Sequence, residues 1–416
     1  MGTTYKLTIA GFTQMLGWKV EIAANSRYTD QFKSPNTDRP IQISVKQRET
    51  TMTKSNSSRR DFLKSTTAGI LATGVAPAIL AAADKSGSKP KVIGPEGHRY
   101  EVHHDCMEVP KNIRWQDTHG VAVDSAGLVY VKHRTKTVEV MDAVVVFDAK
   151  GKFVRSFGRE FHGGGHGIDI RQDGTEEFLY LCDNKGYIAK ATLTGEIVWK
   201  QTAPKVDVYE GAAPFVLKSA GKYGKGKKFS PTNIAFAPDG GFYVGDGYGS
   251  HYIIRYDKDA KVVSYFGGPG SKLGEFQTPH GLWWDDRPGR EPALAVCDRA
   301  NARLQYFNAD GEYLSVVNDL LFPADIDTQG ELMLVPDLHA RITLLGKDNQ
   351  VIAQLGDDPE WRKQVLADNF AMRSQPARWE NGRFIHPHDA CFDHSGNIYV
   401  AEWVATGRVN FLRRVG

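Results

Sequence analysis

The chain has 416 residues, 24% of them charged and 41% hydrophobic, with 42 glycines, four cysteines and a formal net charge of +3. Residues 1–83 hold 11 Lys or Arg against 5 Asp or Glu, so the remainder carries −3. A mildly acidic body argues against a nucleic-acid partner, and four cysteines without a CxxC spacing argue against a thiolate metal centre.

Residues 1–51 carry no pattern that assigns a fold, and Met52 fits a translation start, which would leave them untranslated. Ser58-Arg59-Arg60-Asp61-Phe62-Leu63-Lys64 precedes an uncharged run from Ser65 to Ala83, and Ala81-Ala82-Ala83 offers a small-residue cleavage site. This predicts a twin-arginine signal over 52–83 and a periplasmic or exported protein. Ser65, Thr66, Thr67, Thr73 and Pro77 make the run too polar for a good membrane span, so no stable span is expected once the signal is cleaved.

From there the sequence is periodic. Each unit has a slot residue, a short apolar strand, an Asp and Gly turn, then an apolar strand ending in an acidic residue. The slots are His119, His166, Thr232, His280, Ala324 and His388. The strand ends are His133, Asp183, Asp246, Asp298, Asp337 and Glu402, with blade one the exception. Most copies continue into two more short strands, as in Ile253–Tyr256 and Val262–Phe266. Four strands per repeat of roughly 40–50 residues predict propeller blades. The fold expected over 84–416 is all-β, a six-bladed β-propeller. The last unit lacks an outer strand after Val409–Leu412, and Tyr100–His104 is expected to supply it, because an open edge invites aggregation.

His166, His280 and His388 fill alternate slots, so in a closed ring of six they converge from three sides. Three neutral imidazoles with one position open suit zinc. His119 breaks the symmetry and is read as a supporting donor, a substrate contact or a competing ligand. The acidic strand ends are expected to brace backbone turns. Cys182, Cys297 and Cys391 fall in repeat register and read as small core residues. The Lys-rich stretch 218–228 reads as a solvated loop.

Several segments add a family resemblance: Phe-Tyr-Val-Gly-Asp-Gly-Tyr248, Pro-His280-Gly-Leu, Cys-Asp-Arg299-Ala-Asn-Ala-Arg303, His133-Arg134, His166-Gly-Ile and Pro-His388-Asp389. Over roughly 117–416 the chain resembles the peptidyl-α-hydroxyglycine α-amidating lyases (peptidylamidoglycolate lyases), six-bladed propellers related to NHL-repeat proteins. The resemblance implies that His166, His280 and His388 hold zinc. It implies Tyr248 as catalytic base, Arg134 as its partner at the reacting carboxylate or phenolate, and Arg299 as support for the substrate. It also implies a structural calcium on the carbonyls of Val121 and Ile168 and the side chain of Asp389. The substrate would be a small molecule or a peptide ending in α-hydroxyglycine, split into an amide and glyoxylate. The animal members' disulfide cysteines are missing, since Gly249 follows Tyr248 and Tyr306 stands in the Arg-Leu-Gln-Tyr-Phe segment. No copper monooxygenase domain is read in these residues. The rival readings are a non-catalytic propeller binding a peptide, glycan or protein, and a hydrolase or lactonase on the same scaffold.

Overall fold

The computed structural model describes residues 89–210, 216–217 and 228–416. The twin-arginine segment, residues 1–51 and most of the Lys-rich stretch lie outside the described residues.

Among the described residues, six antiparallel sheets of four or five strands follow one another, with a two-stranded pair, Tyr209–Glu210 and Val216–Leu217, beside them in sequence. Their first strands are Thr118–Val123, Gly165–Asp173, Ile234–Phe236, Pro279–Asp285, Asp327–Gln329 and Pro387–Phe392. First strands of neighbouring blades meet from blade five through blade six and blade one round to blade four, which makes them the innermost strands of a six-bladed propeller. Burial follows from that placement. Second strands such as Val129–His133 and Ala293–Asp298 are buried throughout, while the outer Ile197–Thr202 alternates with solvent.

One hydrophobic cluster fills each junction between blades. Val144, Val146, Leu179 and Leu181 join blades one and two, and Leu334, Leu344, Val400 and Leu412 join blades five and six. The ring closes as the edge argument requires. Arg408–Arg414 pairs on one side with Ile398–Glu402 and on the other with Tyr100–His103. Lys91–Ile93 then adds a fifth strand to that sheet. Val121, Val131, Tyr399 and Ala401 pack across the junction of blades six and one.

The repeat pattern predicts strands alone, whereas an α-helix stands between blades five and six. Asp358 caps it, its carboxylate accepting the backbone N–H groups of Glu360 and Trp361, with Pro359 at the first helical position. The helix Pro359–Phe370 breaks where Asp368, Asn369 and Phe370 take left-handed φ angles of 52°, 54° and 63°. It is anchored by Trp361 and Val365, which pack with Met372, Ile385 and Val404. Among the described residues no helix is long and apolar enough to cross a membrane.

Candidate metal centre and substrate pocket

Each of the four slot histidines sits where the register of an innermost strand slips. The slips fall between Thr118 and Gly120, Gly165 and Ile168, Pro279 and Leu282, and Pro387 and Asp389. A bulge of this kind re-aims a side chain; here it turns the imidazoles into the channel. The residue after the slot is glycine in blades one, two and four, because the neighbouring blade is too close for a Cβ. At Gly167 a Cβ would meet the Thr232 carbonyl oxygen at 2.5 Å, and at Gly281 it would meet Asp325 Cα at 2.3 Å.

The rings of His166, His280 and His388 form a near-equilateral set, with centroids 4.7, 4.8 and 4.9 Å apart. His119 lies 4.7 Å from His388 and 5.2 Å from His166. Ring nitrogens of His119, His166 and His388 lie within 4.8 Å of one another, so the nitrogen distances single out a triplet with His119, while ring centroids also bring His280 close to His166 and His388. The two sets differ in their hydrogen-bonding partners. His166 Nδ1 meets the Thr232 carbonyl at 2.7 Å, His280 Nδ1 the Ala324 carbonyl at 2.5 Å, and His388 Nδ1 the His119 carbonyl at 2.7 Å. Each even blade thus donates to the slot carbonyl of the next blade. His119 instead uses the carbonyl of Asp117 in its own blade, at 2.5 Å. A carbonyl can only accept, so the proton sits on Nδ1 and Nε2 carries a bare lone pair. All four rings are buried. Burial, with nearby cationic groups, holds His119, His166 and His280 well below the ordinary histidine pKa and His388 at about 3. Converging neutral acceptors without mutual donors fit a divalent cation of the zinc type.

Tyr248 stands over this cluster. Its hydroxyl is 3.1 Å from His280 Nε2 and 3.4 Å from His166 Nε2, and it accepts from Arg299 Nη1 at 3.1 Å. The turn that carries it needs its glycines. A Cβ at Gly247 would meet the Pro279 carbonyl oxygen at 1.9 Å, and one at Gly249 would meet the Asp246 carboxylate at 2.2 Å. Arg134 makes its contacts elsewhere, to Asp117 Oδ2 at 3.4 Å and Asn184 Oδ1 at 3.5 Å. Asp117 also accepts from Arg373 Nη2 at 2.5 Å, which ties the insertion to blade one.

Asp389, beside His388, accepts the Val121 N–H at 2.9 Å. Its carboxyl and that of Asp325 are hydrogen-bonded to each other, and Asp325 accepts from Asn233 Nδ2 at 2.7 and 2.8 Å. Burial raises Asp389 well above the usual carboxylate range and Asp325 to about 6. Val121 and Ile168 lie in the neighbouring innermost strands. Oxygen donors of this kind fit a hard cation.

A cavity of about 520 Å³ joins the pocket residues, and its walls follow the repeat. The slot register supplies His119 and His388. The position two before the slot supplies Ser230, Phe322 and His386. The position after the acidic strand end supplies Arg134, Asn184, Arg299, Leu338 and Trp403. Arg134, Arg299, His119 and His388 stand out in the sequence by motif or slot, whereas Asn184, Ser230, Phe322, Leu338, His386 and Trp403 carry no motif, although the same register marks them. Phe370 comes from the helical insertion, which no repeat could indicate.

Fold and site together define a class: a six-bladed β-propeller with imidazoles converging in its channel beneath a tyrosine and two arginines. Among curated proteins, the chain is 28% identical over 208 residues to peptidyl-alpha-hydroxyglycine alpha-amidating lyase 1 of Drosophila melanogaster, covering 46% of this chain and 37% of that protein. It is 25% identical over 206 residues to peptidyl-glycine alpha-amidating monooxygenase A of Xenopus laevis, covering 48% and 20%. The aligned segment is thus well under two thirds of either relative. The resemblance seen in the motifs is therefore also a measurable sequence similarity over about half the chain. Similar solved structures include virginiamycin B lyase from Staphylococcus aureus, at 14% identity and a TM-score of 0.48, over 76% of this chain and all of that one. A gluconolactonase from Xanthomonas campestris matches at 12% identity and a TM-score of 0.48, over 78% and 95%. No protein-family model matches the chain.

Proposed function

We propose that the protein is an exported, zinc-dependent lyase that cleaves N-acyl-α-hydroxyglycines to an amide and glyoxylate. The observation that carries this reading is the position of the Tyr248 hydroxyl, within 3.4 Å of two imidazole Nε2 atoms and of the Arg299 guanidinium. Similarity to an amidating lyase over about half the chain supports it, and the Ser58–Lys64 segment supports export.

His166, His280 and His388 would hold the zinc through Nε2. Bound there, zinc supplies Lewis acidity that makes the substrate hydroxyl easier to deprotonate. With His280 Nε2 so engaged, Tyr248 would keep the Arg299 donor. Tyr248 takes the hydroxyl proton, the C–O bond becomes a carbonyl, and the C–N bond breaks. The nitrogen takes up the proton that Tyr248 removed and leaves as the amide. Arg134 and Arg299 face the pocket as the partners for the substrate carboxylate. A structural calcium would be held by Asp389 with the carbonyls of Val121 and Ile168.

The test is glyoxylate release from an N-acyl-α-hydroxyglycine by wild type and Tyr248→Phe, with bound metal assayed in both. The variant is expected to keep its metal and lose roughly 10²–10⁴-fold in kcat. Stoichiometric metal with no glyoxylate from wild type would remove the lyase reading. It would favour a propeller that binds its ligand without turnover.

A further inference from the structure

Blade five gives no imidazole to the channel, because Ala324 fills its slot. It gives the pocket two other rings, those of Phe322 and His339. The acid that ends its second strand fixes their backbone. Asp337 accepts the N–H groups of Leu321 and Phe322 at 2.9 and 2.5 Å, and the Leu338 N–H donates to the Phe322 carbonyl at 3.2 Å. The two rings are parallel within 9°, with centroids 4.8 Å apart. Burial and then neighbouring basic groups lower the His339 pKa to about 4, so near neutral pH Phe322 stacks on an uncharged imidazole.

Arg299 lies against this pair. Its guanidinium carbon is 5.0 Å from the Phe322 centroid and 5.2 Å from the Tyr248 centroid. Nearby Arg303 is ion-paired with Asp298. Arg299, only 7% exposed, has no carboxylate partner among the described residues, and its Nε donates to no acceptor. A buried cation without a counter-charge needs another attraction to hold one orientation. Ring faces supply it, at about 0.5–2 kcal/mol. We infer that Phe322, backed by His339, is a positioning residue for the proposed reaction. Its face holds the Arg299 guanidinium so that Nη1 meets the Tyr248 hydroxyl and the remaining N–H groups meet the substrate carboxylate. This rests on the lyase reading and assigns blade five, which supplies no metal ligand, a part in the chemistry.

The test is a double-substitution cycle between Phe322 and Arg299. It is read as calorimetric binding of N-acetylglycine, an unreactive carboxylate, and as kcat/KM for glyoxylate release from N-acetyl-α-hydroxyglycine. Phe322→Leu keeps an apolar side chain but removes the ring face, and is expected to weaken both about tenfold. Phe322→Tyr, which restores the face, should stay near wild type. His339→Leu, which leaves Phe322 in place without its backing, should cost about threefold. In an Arg299→Ala background Phe322→Leu should cost nothing further, because the guanidinium it orients is gone. A merely structural role would lower the melting temperature and weaken binding equally in both backgrounds. That result, wild-type binding and turnover in Phe322→Leu, or N-acetylglycine binding wild type no better than Arg299→Ala would overturn the assignment. Coupled losses in binding with no glyoxylate from wild type would support the positioning role and count against the lyase.

Discussion

Blade one and the even-numbered blades carry the same residue in the same slot and use it differently. His166, His280 and His388 each hydrogen-bond across a blade junction to the next slot carbonyl, whereas His119 bonds back to Asp117 in its own blade. The second strand shows the same contrast. In blades three to six its terminal acid accepts a backbone N–H from the segment entering the blade: Ser230, Gln277, Leu321 and Ile385. In blade one His133 takes that place, and Arg134 follows it into the pocket. Four blades share this brace, and blade one departs from it where Arg134 faces the pocket. Position in the repeat thus leaves the imidazole's hydrogen-bond partner open: the next blade in the even-numbered blades, its own blade in blade one.

Substitutions can break this comparison. The largest effect is expected from His280→Ala, with glyoxylate release falling by about 10³-fold or more through loss of a metal ligand. His119→Ala is expected to cost roughly 10–100-fold, the range for a residue supporting a metal site without ligating it. Equal losses in the two variants would erase the distinction.

Glu402 tests the ordinary blades. Burial alone would raise its carboxyl, but the Arg408 guanidinium overrides this and leaves it below its ordinary value. Breaking the buried Glu402–Arg408 pair in Glu402→Gln should cost about 3–5 kcal/mol, seen as a melting-temperature drop of roughly 10 °C. A group with a depressed pKa stabilises the fold above its unfolded value near 4.5 and loses that contribution as pH falls. The gap between wild type and variant should therefore narrow below that pH.

Asp117→Asn tests blade one, since Asp117 holds both Arg134 and Arg373. KM should rise roughly tenfold, about 1.4 kcal/mol, with a smaller change in kcat. A purely structural role would lower the melting temperature without that split. The smallest effect is expected from Lys132. Its buried amine donates to the Cys182 carbonyl at 2.6 Å, and burial lowers its pKa from 10.5 to about 8. Between those values the unfolded chain binds more protons, so stability should rise with pH. Lys132→Met should remove that increment from the melting profile.

Much of this was legible in the sequence, for a physical reason. Period-two strands and turn glycines fix the blades, and blade register fixes the slots, so converging histidines follow from counting. Closure by Tyr100–His103 follows from the unpaired edge that Arg408–Arg414 would otherwise leave. The bulges that aim the histidines were not visible, because register slips depend on pairing between strands. The insertion was missed because Asp358-Pro359-Glu360 is a helix start of ordinary composition inside a β repeat. With it went Phe370 and Arg373. His386 stands in repeat register, but its packing against Phe370 and Trp403 shows only in three dimensions.

The central claim is that the even-blade triplet, and not one containing His119, binds the metal. Metal per chain measured in folded wild type, His280→Ala and His119→Ala tests it most directly. The account predicts one, none and one at the imidazole site; metal retained in His280→Ala and lost from His119→Ala would contradict it.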